Sequence, residues 1–120
     1  MQVKFHIYDK RYEVYEKVKQ FIASVCQAGK VDDDKYRQFW QDTRQAYFLF
    51  GQDIDSYIEK IYHNSFDLKR YDEALERPRL RDIERDAIID KRFELTEWFG
   101  DQFYESRKLF GEFLSLEKIR

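Results

Sequence analysis

Apolar and aromatic residues recur at helical spacing through nearly the whole chain, and only four glycines and one proline interrupt them. Glycine and proline are the residues that end or kink helices, so their scarcity restricts the chain to a few long ones. No stretch alternates apolar and polar residues for more than a few positions, as a half-buried strand would. There is no internal repeat and no low-complexity tract. The 120 residues include 11 Phe, nine Tyr and two Trp, enough ring surface to glue amphipathic helices together. The expected fold is therefore all-α: an elongated antiparallel bundle of three to four helices, forming one domain over residues 1–120.

The first helix is the clearest. Phe5, Ile7, Tyr8, Tyr12, Val14, Tyr15, Val18, Phe21, Ile22, Val25 and Cys26 fall on an arc of about 160° at 100° per residue. That arc is too broad for a two-stranded seam and fits a helix touching two neighbours. Glu13 and Lys17 on the wet side form an expected i,i+4 pair. Gly29 is placed to end the helix in a left-handed conformation.

Asp32 has the position of an N-cap for the next helix, with Asp33 and Asp34 in its first turn and Val31 able to staple onto Tyr36. Tyr36, Phe39, Trp40, Thr43, Ala46, Tyr47 and Phe50 then share a face. After Gly51 the apolar set becomes Ile54, Tyr57, Ile58, Ile61, Tyr62 and Leu68, rotated by somewhat under a quarter turn. The rotation predicts a break at Gly51–Asp53, with Asp53 as a new cap, against the alternative of one gently bent helix. Glu76-Arg77-Pro78-Arg79 is the next interhelix turn. Beyond it the pattern runs from Leu80 to about Lys118, with Ile88, Leu95, Phe99, Phe103, Phe110, Phe113 and Leu114 on one face and Trp98 and Leu109 at its flank. Unbroken, that helix would be nearly 60 Å long and would need a bend or a protruding end.

Charge bounds the function. Twenty-two basic residues against 24 acidic ones leave a net charge of −2, which provides no field for nucleic acid or anionic membrane. The arginines around the proline turn, Arg77, Arg79, Arg81 and Arg85, alternate with Glu76, Asp82, Glu84 and Asp86, and pairs such as Glu73 with Arg77 account for them. A single cysteine precludes an internal disulfide and fits a reducing cytoplasmic setting. No apolar run approaches the length of a membrane span or a signal peptide, so a soluble domain is expected.

Catalytic constellations are missing from the sequence. It has no Gly-rich phosphate loop, no metalloprotease helix motif, no paired cysteines and no nucleophile elbow. A carboxylate-bridged metal pair in a bundle needs Glu and His three apart on each of two helices. Glu59 with His63 and His6 with Asp9 each occur once and at different spacings, so no metal and no cofactor are expected. Cys26, on the apolar arc, reads as a small buried hydrophobe. The tyrosines read as packed rings with hydroxyls at the bundle edge, in preference to a stacking slot for haem, flavin or nucleobase.

Two features fall outside the core stripes. Phe48 points away from the face formed by its neighbours. On the last helix Ile89, Phe93, Gly100, Tyr104 and Gly111 align on a second face, where glycines 11 residues apart allow another helix backbone to approach. That helix belongs either to the same chain, to a second subunit or to a partner.

Ile7-Tyr8-Asp9-Lys10-Arg11-Tyr12-Glu13-Val14-Tyr15-Glu16 and Ala46-Tyr47-Phe48-Leu49-Phe50-Gly51, followed by Ile54, Tyr57 and Ile58, resemble a family of small bacterial helical proteins. Its motifs are an aromatic FDKRYEVYE-like opening and a central FLFG-like segment. Many of its members carry one membrane-spanning helix just before the opening motif. The resemblance thus implies a cytosolic helical domain, either one attached to the membrane only through a segment absent from this chain or a member that is soluble, and it implies no enzyme activity. The combined expectation is a non-enzymatic interaction domain that associates with itself or with a protein partner, not with nucleic acid. Its candidate surface residues are Phe48, Ile89, Phe93, Gly100, Tyr104 and Gly111. The alternative is a small-molecule or cofactor-binding bundle.

Overall fold

The computed structural model describes residues 2–115, with side chains from His6 onward. Its helices are α1 (Gln2–Ala28), α2 (Asp33–Asp42), α3 (Ala46–Phe50), α4 (Gln52–Leu75) and α5 (Asp82–Leu114), with no strand among the described residues. Helices α2 and α3 together make one broken arm, so the bundle has four arms running alternately up and down. Phe21 stacks on Phe39 at 4.4 Å and Arg11 reaches Leu49, which sets the α2–α3 arm antiparallel to α1. Asp33 pairs with Lys69 across to α4, which returns after the turn at Gly51. Tyr57 bonds Gln102 and Asp72 pairs with Arg92, so α5 runs down against α4. Tyr15 beside Phe110 and Gly29 beside Arg92 set α5 antiparallel to α1 as well. The bundle is more than twice as long as it is wide, the elongated all-α form that the periodicity predicts.

The first connection follows its local chemistry. Gly29 has φ 69° and donates its N–H to the Val25 carbonyl at 2.8 Å, closing α1 in the left-handed conformation that a side chain resists. The Asp32 carboxylate accepts from the Lys35 N–H at 3.0 Å and caps α2. Val31 and Tyr36, which flank that cap, are both buried in the core.

The break at Gly51 is present, with φ 93° at that residue. Its cap differs from expectation: Gly51 occupies the N-cap position and Asp53 lies in the first turn, where its charge still favours the helix N-terminus. A second break, at residues 43–45, was not predicted. The Thr43 hydroxyl donates to the Phe39 carbonyl at 2.7 Å and its N–H takes the same oxygen at 3.1 Å. Ala46 N–H turns instead to the Thr43 carbonyl, and the helix tightens and re-aims. Tyr36, Phe39, Thr43, Ala46 and Phe50 consequently face the core, whereas Trp40 and Tyr47 are half exposed.

The proline turn spans residues 76–81, between α4 and α5. Helix α5 is unbroken over 33 residues, about 50 Å. The predicted extension to Lys118 falls outside the described residues, as does the side chain of Phe5. Because Gly29 sits level with Arg92, the first turns of α5 project past the end of α1, with only the end of α4 beside them. The protruding end is real, and no bend is needed.

Val18, Ile22, Ile54, Ile61, Leu68, Phe99 and Phe110 form the dry centre. Ser65, Gln102 and Ser106 are buried with them, and every buried side-chain polar atom among the described residues has a partner. The expected pairs Glu13–Lys17 and Glu73–Arg77 do not form among the described residues; Glu16–Lys19 and Arg81–Glu84 do instead. Exposed pairs of this kind contribute little, so their exchange leaves the fold unaffected.

Candidate interaction surface

Helix α5 carries two apolar faces. One packs inward through Phe99, Gln102, Ser106 and Phe110. At about 100° per residue, Ile89, Phe93, Gly100, Tyr104 and Gly111 fall within about 60° of arc on a second face, beside α1 and turned away from α4. Ile89 is 46% exposed, Phe93 59% and Tyr104 69%. The structure therefore assembles all five residues on one open ridge. Phe103 joins them at the edge: the sequence assigns it to the core stripe, yet it is 42% exposed. On the wheel Phe103 lies about 60° from buried Ser106, about 100° from buried Gln102 and about 20° from buried Phe110, so it stands at the rim of the packed face, next to the open one. The only sequence signal for this was that Phe103 lies midway between the two stripes.

The glycines on this face touch nothing. A Cβ built on Gly100 or Gly111 meets no atom within 4 Å, so no helix of the same chain fills the space that they leave. Phe48 is 86% exposed and rests edge-on against Tyr47, with ring centroids 5.6 Å apart. It borders a shallow groove with Lys10, Glu13, Gln45 and Leu49, on the opposite flank of α1 from α5. Phe48 and the α5 ridge are thus two separate surfaces.

Among the described residues the polar groups of the interior form a structural network. The Tyr57 hydroxyl donates to Gln102 Oε1 at 2.7 Å, and Gln102 Nε2 donates to the Trp98 carbonyl at 2.9 Å. Burial, with the charge of Glu105 second, pushes the Tyr57 phenol well above its ordinary value. Burial and a hydrogen bond with Tyr62 do the same to Tyr36. Both stay neutral donors, not bases. Cys26 corrects the sequence expectation, for it is exposed in the last turn of α1, at the margin of the apolar arc. Its sulfur is still desolvated enough to push the thiol upward, away from a reactive thiolate. Among the described residues no three His, Cys, Asp or Glu converge as metal ligands, and no helix is long and apolar enough to cross a membrane.

Fold and surface together define an all-α, four-armed antiparallel bundle with one open aromatic ridge. Comparison with protein-family models, with curated proteins and with solved structures returns no match.

Proposed function

We propose that this chain is a non-enzymatic protein-interaction domain whose binding surface is the outer face of α5. The carrying observation is that Ile89, Phe93, Phe103 and Tyr104 stand open to solvent around two glycines whose Cα positions face empty space. Exposed apolar surface of this kind is costly in a bundle with ample charged residues to cover it, and large exposed rings sharing one helix face mark contact sites. Aromatic anchors commonly dominate such interfaces, which makes Phe93 and Tyr104 the side chains with most to bury. Phe48 offers a smaller contact on the other side of α1. A cytoplasmic site of action is supported by the single unpaired, exposed cysteine. Phe93→Ala and Tyr104→Ala are expected to reduce association, read as solution mass and partner capture. If both variants leave both readouts unchanged, the surface assignment is wrong.

The alternative, a small-molecule-binding bundle, rests on the groove of about 640 Å³ lined by Tyr57, Lys60, Trp98 and Gln102. Lys60 lies 5.8 Å from the Trp98 ring and Tyr57 is bonded to Gln102, and the groove runs onto the ridge itself through Gly100, Phe103 and Tyr104. Thermal shifts against a metabolite and metal panel would revive it.

A further inference from the structure

We infer that the occupant of the α5 ridge is a second copy of this chain, docked α5 against α5 in antiparallel fashion with Gly100 at the crossing point. The inference rests on the interaction surface proposed above and names its partner.

The first argument is internal symmetry. Gly100 sits at the middle of the ridge, both along the helix and around it. Residues equidistant from it come level under a two-fold axis: Phe93 with Arg107 and Ile89 with Gly111, all within about 20° of the ridge line. Each large side chain is set against a smaller one or against a group that it attracts. Arg107 over Phe93 is a cation–π pair, and the Ile89 side chain fits the space that Gly111 leaves open. At Gly100 itself nothing lies within 4 Å of a Cβ position, so two backbones can cross closely there.

Charge makes the second argument, and it selects the orientation. Along the ridge the acidic residues Asp90 and Glu97 precede Gly100, while Arg107 and Lys108 follow it. None of the four is in an ion pair among the described residues, and Arg85 and Arg92 on the other rim are engaged with the Leu75 carbonyl and with Asp72 and Gly29. Asp101 lies about 20° beyond Asp90 and Lys108, and Glu94, Glu105 and Glu112 lie about 40–60° beyond them, toward the polar side. A parallel pairing would lay acid on acid. An antiparallel one brings Arg107 and Lys108 of each copy against the acidic half of the other.

The test uses the whole chain in sedimentation equilibrium over a wide concentration range. The wild type is expected to be a dimer, and Gly100→Leu is expected to weaken it at least tenfold without lowering the thermal midpoint of the monomer, because position 100 is exposed and a Cβ there meets no atom within 4 Å in one copy. In a Cys26→Ser background, Gly100→Cys is expected to form a disulfide-linked dimer on oxidation, whereas Glu94→Cys, on the polar side, is not. Should Gly100→Leu misfold, Arg107→Glu and the disulfide readout carry the test. A wild type that stays monomeric throughout overturns self-pairing, and the α5 surface then stands or falls by the partner-capture test of Phe93→Ala and Tyr104→Ala. A dimer that ignores Gly100→Leu and Phe93→Ala overturns both, because association then lies elsewhere on the molecule.

Discussion

Arg11 on α1 donates from Nε to the backbone carbonyl of Leu49 on α3 at 2.7 Å, and its guanidinium packs over the rings of Phe50 and Phe113 at 5.8 and 5.6 Å. One side chain thereby joins three arms at the end of the bundle where the broken second arm turns. Leu49 is near the end of a helix of only five residues, so its carbonyl has no continuing helical partner to rely on.

Removing that link has a defined cost. Arg11→Ala is expected to destabilise the chain by about 2 kcal/mol, from a lost charge-assisted hydrogen bond and lost ring contacts. Arg11→Lys is expected to recover only part of this, since an ammonium does not reproduce the planar donor geometry. Urea unfolding of the three proteins measures both.

Tyr57 offers a test that combines structure and pH. Tyr57→Phe leaves Gln102 Oε1 buried without its donor and is expected to cost about 1–3 kcal/mol. The Tyr57 phenol is raised in the folded state, so its contribution is fully present below about pH 10, where the unfolded phenol is still protonated. It is lost as pH rises, because the unfolded chain then releases a proton that the folded chain keeps. Stability of the wild type is therefore expected to fall above pH 10 more steeply than that of Tyr57→Phe, in denaturant melts at fixed pH.

Two glycines should respond in opposite ways. Gly51 has φ 93° and ψ −169°, a region that residues with a Cβ avoid, so Gly51→Ala is expected to destabilise by roughly 1–3 kcal/mol. Gly100 is in mid-helix with open space at its Cβ position, so Gly100→Ala is expected to stabilise the monomer by about 0.5–1 kcal/mol. Thermal melts at a concentration low enough to hold the chain monomeric separate the two.

At low pH the pair between Asp33 and Lys69, at 2.7 Å, sets the expectation. The hydrogen bond from Lys69, with its charge, holds the Asp33 carboxyl below its ordinary value of 3.8. The pair's contribution is present above that value and disappears as pH falls through the lowered folded one. Wild type and Asp33→Asn should differ at neutral pH and converge in strong acid, in the same denaturant series.

How much of this was legible beforehand varies by element. The caps at Gly29 and Asp32 and the break at Gly51 are local chemistry, and each was readable from a few adjacent letters. The break at Thr43 was not, because a threonine in a helical pattern shows no sign of whether its hydroxyl will take the preceding carbonyl. That turn re-aims the helix, so Trp40 before it and Tyr47 after it both fall outside the face that Tyr36, Phe39, Ala46 and Phe50 bury.

The amino-acid sequence by itself determined that the chain is all helix, roughly where each arm ends, and which rings on α5 fall off its main stripe. Periodicity and capping act over a few residues and need no knowledge of neighbours. Only tertiary structure decided which side of α5 meets α1 and α4. That choice buried Gln102 and Ser106, left Phe103 at the rim and kept Gly100 and Gly111 uncovered, because burial depends on the direction from which other helices approach as well as on the spacing of residues along one of them.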